Sequence, residues 1–175
     1  MLFNNVESII LKKQQESPAG LREHMNAVAS MAMKYAKEVG YDVNNAYLAG
    51  IAHDLFRSAS DKAILEMVSK AGIPLNNLMM SKPMLAHGPA AAGWLKINIP
   101  DISEDIVNAV KDHTFPDAEA PVLTQIIAVA DTLEPSRNIP EREQIRLSDI
   151  PFTDRYKRVY ELKLNNSKRI NGLAK

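Results

Sequence analysis

The run Ala46-Tyr47-Leu48-Ala49-Gly50-Ile51-Ala52-His53-Asp54-Leu55 decides the fold. It is apolar almost all round and far too short to cross a membrane, so it predicts a central helix walled in by other helices. Asp42 opens it. Upstream, Leu21, Met25, Val28, Ala32, Tyr35, Ala36 and Val39 recur at spacings of three and four, with Ser17-Pro18 as N-cap and first helical residue and Gly40 at the left-handed C-terminal position. Before them, Val6, Ile9, Ile10 and Lys13 give a shorter amphipathic helix. Downstream, Ser60-Asp61 begins a helix that ends at Ala71-Gly72, Pro74 and Pro83 frame a short segment, and an alanine-rich stretch covers Met84 to Lys96. Asp101-Ile102-Ser103-Glu104 has capping-box spacing and opens a helix running to about His113. Pro121 starts a second mostly apolar helix, Val122 to Leu133. A polar connection covers Ser136 to Pro151, and Phe152, Tyr156, Val159, Tyr160 and Leu164 mark a last amphipathic helix. Nothing reads as a strand. The prediction is an all-α helical bundle forming a single domain over residues 1–175, with the motif-bearing core at about 18–138 and a C-terminal helix at about 152–170.

Composition narrows the function classes. The 21 Lys+Arg balance 21 Asp+Glu, so no basic surplus favours nucleic acid or anionic lipid. Without cysteine the chain has no disulfide framework, no Cys-ligated zinc and no thiol nucleophile, which fits a reducing compartment. No cationic segment leads into an apolar run at the N-terminus. The expectation is a soluble, unprocessed, cytoplasmic protein with neither a nucleic-acid nor a membrane partner. Its oligomeric state is left open, a homodimer among the options.

The chemical signal lies in the four histidines, His24, His53, His87 and His113, each on or at the end of a predicted helix. Alone, any one of them is accounted for as a hydrogen-bonded core residue. Two carboxylates in equally apolar settings change this: Asp54 beside His53, and Asp131 in Ile126-Ile127-Ala128-Val129-Ala130-Asp131-Thr132-Leu133. Neither has an adjacent basic residue, and a buried carboxylate stays ionised only beside a cation. A metal ion supplies one. Imidazole nitrogen mixed with carboxylate oxygen suits iron, manganese, cobalt or zinc better than calcium or magnesium, and affinity alone does not name the ion.

The ordered set His24, His53-Asp54, His87, His113, Asp131 resembles the metal-dependent phosphohydrolases of the HD superfamily, named for the adjacent His-Asp pair. The local wording is similar to the YqeK type, symmetrical hydrolases of diadenosine tetraphosphate. It rests on Ala52-His53-Asp54-Leu55-Phe56-Arg57, His87-Gly88-Pro89-Ala90-Ala91, Ala109-Val110-Lys111-Asp112-His113-Thr114, and Val129-Ala130-Asp131-Thr132-Leu133-Glu134-Pro135-Ser136-Arg137. The chain departs from that pattern in the loop Phe115 to Ala120, in Arg22 lying two residues before His24, and in Arg57 where the family usually has lysine.

The resemblance implies two divalent ions, iron foremost. His24, His53, Asp54 and Asp131 would hold one, and His87 and His113 the other, with Asp54 as the bridge. Such a pair, roughly 3.5 to 4 Å apart, activates a shared water as hydroxide in line with phosphorus. Two divalent ions against Asp54 and Asp131 leave a local charge of about +2 that attracts polyphosphate in a neutral chain. Asp54 and Arg57 are the expected catalytic residues. Arg57, Thr114, Glu134 and Arg137 are the expected substrate contacts, with Glu134 orienting Arg137 or a ligand histidine. Arg57 reaches the site if the helix continues that far, and Thr114 positions phosphate or simply ends a helix. The remaining features read as structure. The eight methionines are filler, Trp94 is a core or interface anchor, and Lys12-Lys13, Lys157, Arg158, Lys163, Lys168 and Arg169 are solvated helix faces. The implied activity is cleavage of a nucleotide phosphoanhydride, diadenosine tetraphosphate to two ADP. The alternatives are a nucleotidase, a cyclic nucleotide phosphodiesterase, or a helical domain that binds metal or nucleotide without turnover.

Overall fold

The computed structural model describes residues 2–170; residues 1 and 171–175, and the side chains of Leu2, Arg137, Arg169 and Ile170, lie outside the described set. The described residues are helical with no strand. The helices are α1 (Leu2–Gln14), α2 (Ala19–Val39), α3 (Val43–Ala52), α4 (Asp61–Lys70), α5 (Asn77–Ser81), α6 (His87–Asn98), α7 (Glu104–Asp112), α8 (Val122–Leu133), α9 (Pro140–Leu147) and α10 (Phe152–Ile170). Short 3-10 turns, Pro83–Ala86 and Pro135–Arg137, precede α6 and follow α8.

The two apolar helices take the middle. α3 and α8 each pack against α2 and α7 and against one another, α6 closes on α7, α1 on α3 and α10 on α8. Small side chains let α2 and α3 approach closely: Ala29, Ala32 and Ala36 on one and Ala46, Ala49 and Gly50 on the other are all buried. At Gly50 a Cβ would lie 2.4 Å from the Ala29 Cα, so only glycine fits. Gly40 adopts φ 70° and closes α2 in the left-handed conformation, as its position predicts. Asp42 and Ser60 cap α3 and α4 through side-chain oxygens that accept from Asn45 N and Ala63 N.

Four local expectations are corrected. Pro18, not Ser17, is the N-cap of α2, and the Ser17 carbonyl instead accepts from Arg22 Nη1 at 2.6 Å. The Asp101–Glu104 capping box is replaced by Ser103, whose hydroxyl accepts from Asp105 N. The connection from Ser136 to Pro151 contains α9, begun by Pro140 and anchored by buried Ile145. Finally, α3 stops at Ala52 instead of running to Leu55, and the chain continues as three-residue turns, Leu55 N to Ala52 O and Arg57 N to Asp54 O.

Arg155 fixes the corner between α9 and α10. Its buried guanidinium donates to the carbonyls of Ile145, Arg146, Ser148 and Ile150 at 2.7 to 3.3 Å, which satisfies backbone acceptors that the end of α9 leaves open. Trp94 is half-buried against the core, with Lys13 Nζ 6.0 Å from its ring centre. Lys157, Arg158 and Lys168 are exposed as expected; Arg169 lies outside the described side chains.

Candidate metal centre

Helix ends build the site. His53 and His113 are the C-terminal caps of α3 and α7, Asp131 lies two residues before the end of α8, His87 is the first residue of α6, and His24 comes from the second turn of α2. Three of the donors thus sit at or near helix C-termini, whose partial negative charge favours a nearby cation.

The six predicted donors converge. His24 Nε2 lies 3.3 Å from Asp131 Oδ1 and 3.9 Å from Asp54 Oδ2, and His53 Nε2 lies 3.6 Å from Asp54 Oδ2 and 3.8 Å from Asp131 Oδ1. The other oxygen of Asp54, Oδ1, faces His87 Nε2 at 3.0 Å and His113 Nε2 at 3.5 Å. Asp54 thus divides its carboxylate between two pairs of histidines. Donors about 2.1 Å from a common ion stand roughly 3 to 4 Å apart, and these separations fall in that range. Two groups, His24 with His53 and Asp131, and His53 with Asp54 and His113, each keep all their ligand atoms within 4.8 Å.

Which nitrogen faces inward follows from the outer hydrogen bonds. His53, His87 and His113 each place Nδ1 2.7 to 2.8 Å from the carbonyl three residues earlier, on Gly50, Met84 and Val110. A carbonyl only accepts, so Nδ1 carries the proton and Nε2 presents a lone pair. His24 Nδ1 meets Glu134 Oε2 at 3.2 Å to the same effect. Burial pushes the His53 pKa down to about 4, leaving the ring neutral. Burial works against charge on Asp54, but the surrounding His53, His113 and His87 outweigh it and hold the carboxyl well below its ordinary value. For Asp131, burial is likewise overcome, first by Lys163 and then by His24.

The centre is consequently filled with acceptors. His53 Nε2 is buried with no hydrogen-bond partner, and the Nε2 atoms of His87 and His113 face each other at 3.3 Å, with the Thr114 hydroxyl and Asp54 Oδ1 beside both. Neutral imidazole lone pairs and ionised carboxylates crowded together have one common complement, a cation. The donor set fits divalent metal.

A cleft of about 210 Å3 opens onto this centre, with Asp54, His87, His113 and Asp131 at its floor. Thr114 lines it, half-buried. Arg57 also lines it, but as an exposed residue on a turn, because α3 ends before reaching it. Glu134 is buried and turned away from the cleft, accepting from Ser136 N and from the Ser136 hydroxyl besides facing His24. Burial raises its pKa and these hydrogen bonds more than reverse the effect. Arg137 ends the second 3-10 turn; its side chain lies outside the described set.

Two cleft residues escape sequence reasoning. Lys163 is not on a solvated face: it is largely buried, its Nζ 3.3 Å from Asp131 Oδ2, so Asp131 does have a basic neighbour, supplied by α10. The signal was available, since Phe152, Tyr156, Val159 and Lys163 fall on one helical stripe and a lysine on an apolar stripe needs a partner. Arg142 of α9 is the second, donating from Nη1 to Thr132 O at 3.4 Å.

Comparison with known proteins gives one consistent picture. The sequence pattern of the HD domain matches residues 21–136. The chain is 28% identical over 148 residues, 82% of its length and 76% of the relative's, to the symmetrical bis(5'-nucleosyl)-tetraphosphatase of Bacillus subtilis. It is 28% identical over 124 residues, 71% of its length and 66% of the relative's, to the protein of the same name from Halalkalibacterium halodurans. A crystal structure from Clostridium acetobutylicum, described as a predicted HD superfamily hydrolase involved in NAD metabolism, superposes with a TM-score of 0.83 at 22% identity, covering 97% of this chain and 89% of that one.

Proposed function

We propose, from the premise that this chain belongs to the HD-domain family, that it is a metal-dependent phosphohydrolase cleaving the central phosphoanhydride of diadenosine tetraphosphate. One water adds across the central P–O–P bond and two ADP leave. The observation that supports this most is the division of Asp54: one oxygen toward His24 and His53, the other toward His87 and His113, which is what a carboxylate bridging two ions requires. The names carried by the Bacillus and Halalkalibacterium relatives supply the substrate.

In this reading His24, His53, Asp54 and Asp131 would hold one ion and His87 and His113 the other, with Asp54 shared. The ions, when bound, lower the pKa of a water and offset charge on the phosphate. Iron is the ion proposed; manganese, cobalt and zinc are the alternatives that elemental analysis distinguishes. The protein's own part is to fix each imidazole with Nδ1–H outward and Nε2 inward, through the carbonyls of Gly50, Met84 and Val110 and through Glu134. Thr114 reaches both Nε2 atoms on the His87 side and is placed to hold a phosphate oxygen. Arg57 neutralises an outer phosphate from the rim. Glu134 acts on His24 from behind and not on substrate directly. The absence of cysteine suits a cytoplasmic setting, and no described helix is long and apolar enough to cross a membrane.

The test is product analysis. Protein supplied with iron, manganese or cobalt is incubated with diadenosine tetraphosphate, and ADP is expected as the sole nucleotide product. Asp54→Ala should abolish turnover and lower metal content, while Arg57→Ala keeps the metal and turns over more slowly. Release of ATP and AMP, or inertness toward the dinucleotide while another nucleotide is consumed, overturns the assignment.

A further inference from the structure

The HD match ends at residue 136, yet the cleft does not. Three cationic side chains line its walls: Arg57 from the turn after α3, Arg142 from α9 and Lys163 from α10. The last two lie beyond the matched residues. The Arg155 guanidinium, bonded to carbonyls of Ile145, Arg146, Ser148 and Ile150, holds α9 and α10 as one rigid corner, so their positions over the cleft are fixed together. Asp131 Oδ2 draws Lys163 inward at 3.3 Å, and the Thr132 carbonyl does the same for Arg142 at 3.4 Å. An ammonium carries three donors and a guanidinium five, so one contact with the protein does not use either of them up. Lys163 also lines a second hollow, with Phe115, Pro116 and Tyr160, and so stands where that hollow and the cleft meet.

We propose that α9 and α10 are the polyphosphate-reading part of this site, with Arg142 and Lys163 binding oxygens of phosphates beyond the one at the metal centre. The proposal rests on the phosphohydrolase reading and deepens it. The histidines and aspartates serve one phosphorus atom and do not distinguish a monophosphate from a longer chain; these two cations, on the cleft walls contributed by α9 and α10, are the groups that would do so.

Binding of ADP and AMP to metal-loaded protein, followed by calorimetry, tests this, with metal content measured on the same samples. The unmodified protein should bind ADP at least tenfold more tightly than AMP. Arg142→Gln and Lys163→Gln should each shrink that preference by roughly tenfold, and the double variant should remove it. Lys163→Arg, which keeps the charge, should retain the preference. An ADP preference unchanged in both Gln variants, or equal losses for ADP and AMP, overturns the proposal. So does loss of metal from Lys163→Gln and Lys163→Arg alike, which would make Lys163 a support for Asp131 alone. Should Lys163→Gln not fold, acylation of Lys163 in the unmodified protein decides: slowing by ADP but not AMP supports the role, and equal rates refute it. If the dinucleotide is never hydrolysed, the proposed reaction fails, while the ADP preference and its loss in the variants still judge the clamp.

Discussion

Gly50→Ala should damage the metal centre without touching a ligand. The added Cβ would stand 2.4 Å from the Ala29 Cα and 2.9 Å from its N and Cβ. Carbon atoms in contact settle at about 3.5–4.0 Å, so α2 and α3 must separate by roughly 1 Å. Overpacking of this kind costs up to about 3 kcal/mol, offset by the roughly 1 kcal/mol that alanine gains over glycine inside a helix. The net loss of about 2 kcal/mol lowers Tm by about 4–8 °C at this chain length. The same displacement carries His24, on α2, away from Asp54, which follows α3, when their atoms are 3.9 Å apart. Metal ligation tolerates about 0.2 Å, so occupancy should fall with stability. Calorimetry on EDTA-treated protein reads the first effect free of metal linkage, and elemental analysis after desalting reads the second. Gly20→Ala is the control: nothing lies within 4 Å of its Cβ, and it should be neutral or slightly stabilising. A Gly50→Ala protein with unchanged Tm and full metal content would refute the reasoning from close helix approach.

Glu134→Ala removes the carboxylate behind His24 and should weaken metal affinity roughly 10–100-fold, which competition with a chelator measures; unchanged affinity would show that His24 is oriented by other contacts. His53 titrates near 4 when folded against 6.5 unfolded, so between those values the unfolded chain binds the extra proton. Metal-free protein should then lose about 3 kcal/mol from this group as pH falls from 6.5 to 4. Asp54 and Asp131, held low in the fold, lose stability in the same direction below 3.8, and a flat urea-unfolding midpoint across the upper window would contradict the buried neutral ring. Arg155→Met keeps the side-chain bulk but strands the Ile145, Arg146, Ser148 and Ile150 carbonyls. A loss of about 2–4 kcal/mol in urea unfolding is expected, and under 0.5 kcal/mol would mean water replaces the guanidinium.

Local pattern carried the helical architecture a long way. Apolar periodicity located α2, α8 and α10, and Gly40, Asp42 and Ser60 marked ends through conformations and caps that one or two residues specify. Where the choice lay between near neighbours, as between Asp101 and Ser103, the backbone took the residue whose oxygen could reach the free amide. α9 went unread because its apolar content is nearly confined to Ile145, and Pro140 reads equally as a loop residue.

The sequence by itself determined that three of the four histidines and two aspartates sit among neighbours too apolar to hold them without partners. That is a matter of composition and spacing along one dimension. Only the tertiary structure decided that their Nε2 and Oδ atoms meet, that Asp54 faces two ways, and that α3 stops short of Arg57. It also brought Lys163, 32 residues from Asp131, into an ion pair. Those facts depend on the angles and distances at which α2, α3, α7, α8 and α10 pack. Such packing comes from side-chain shape summed over many contacts, as at Gly50 against Ala29, and no single stretch of chain encodes it.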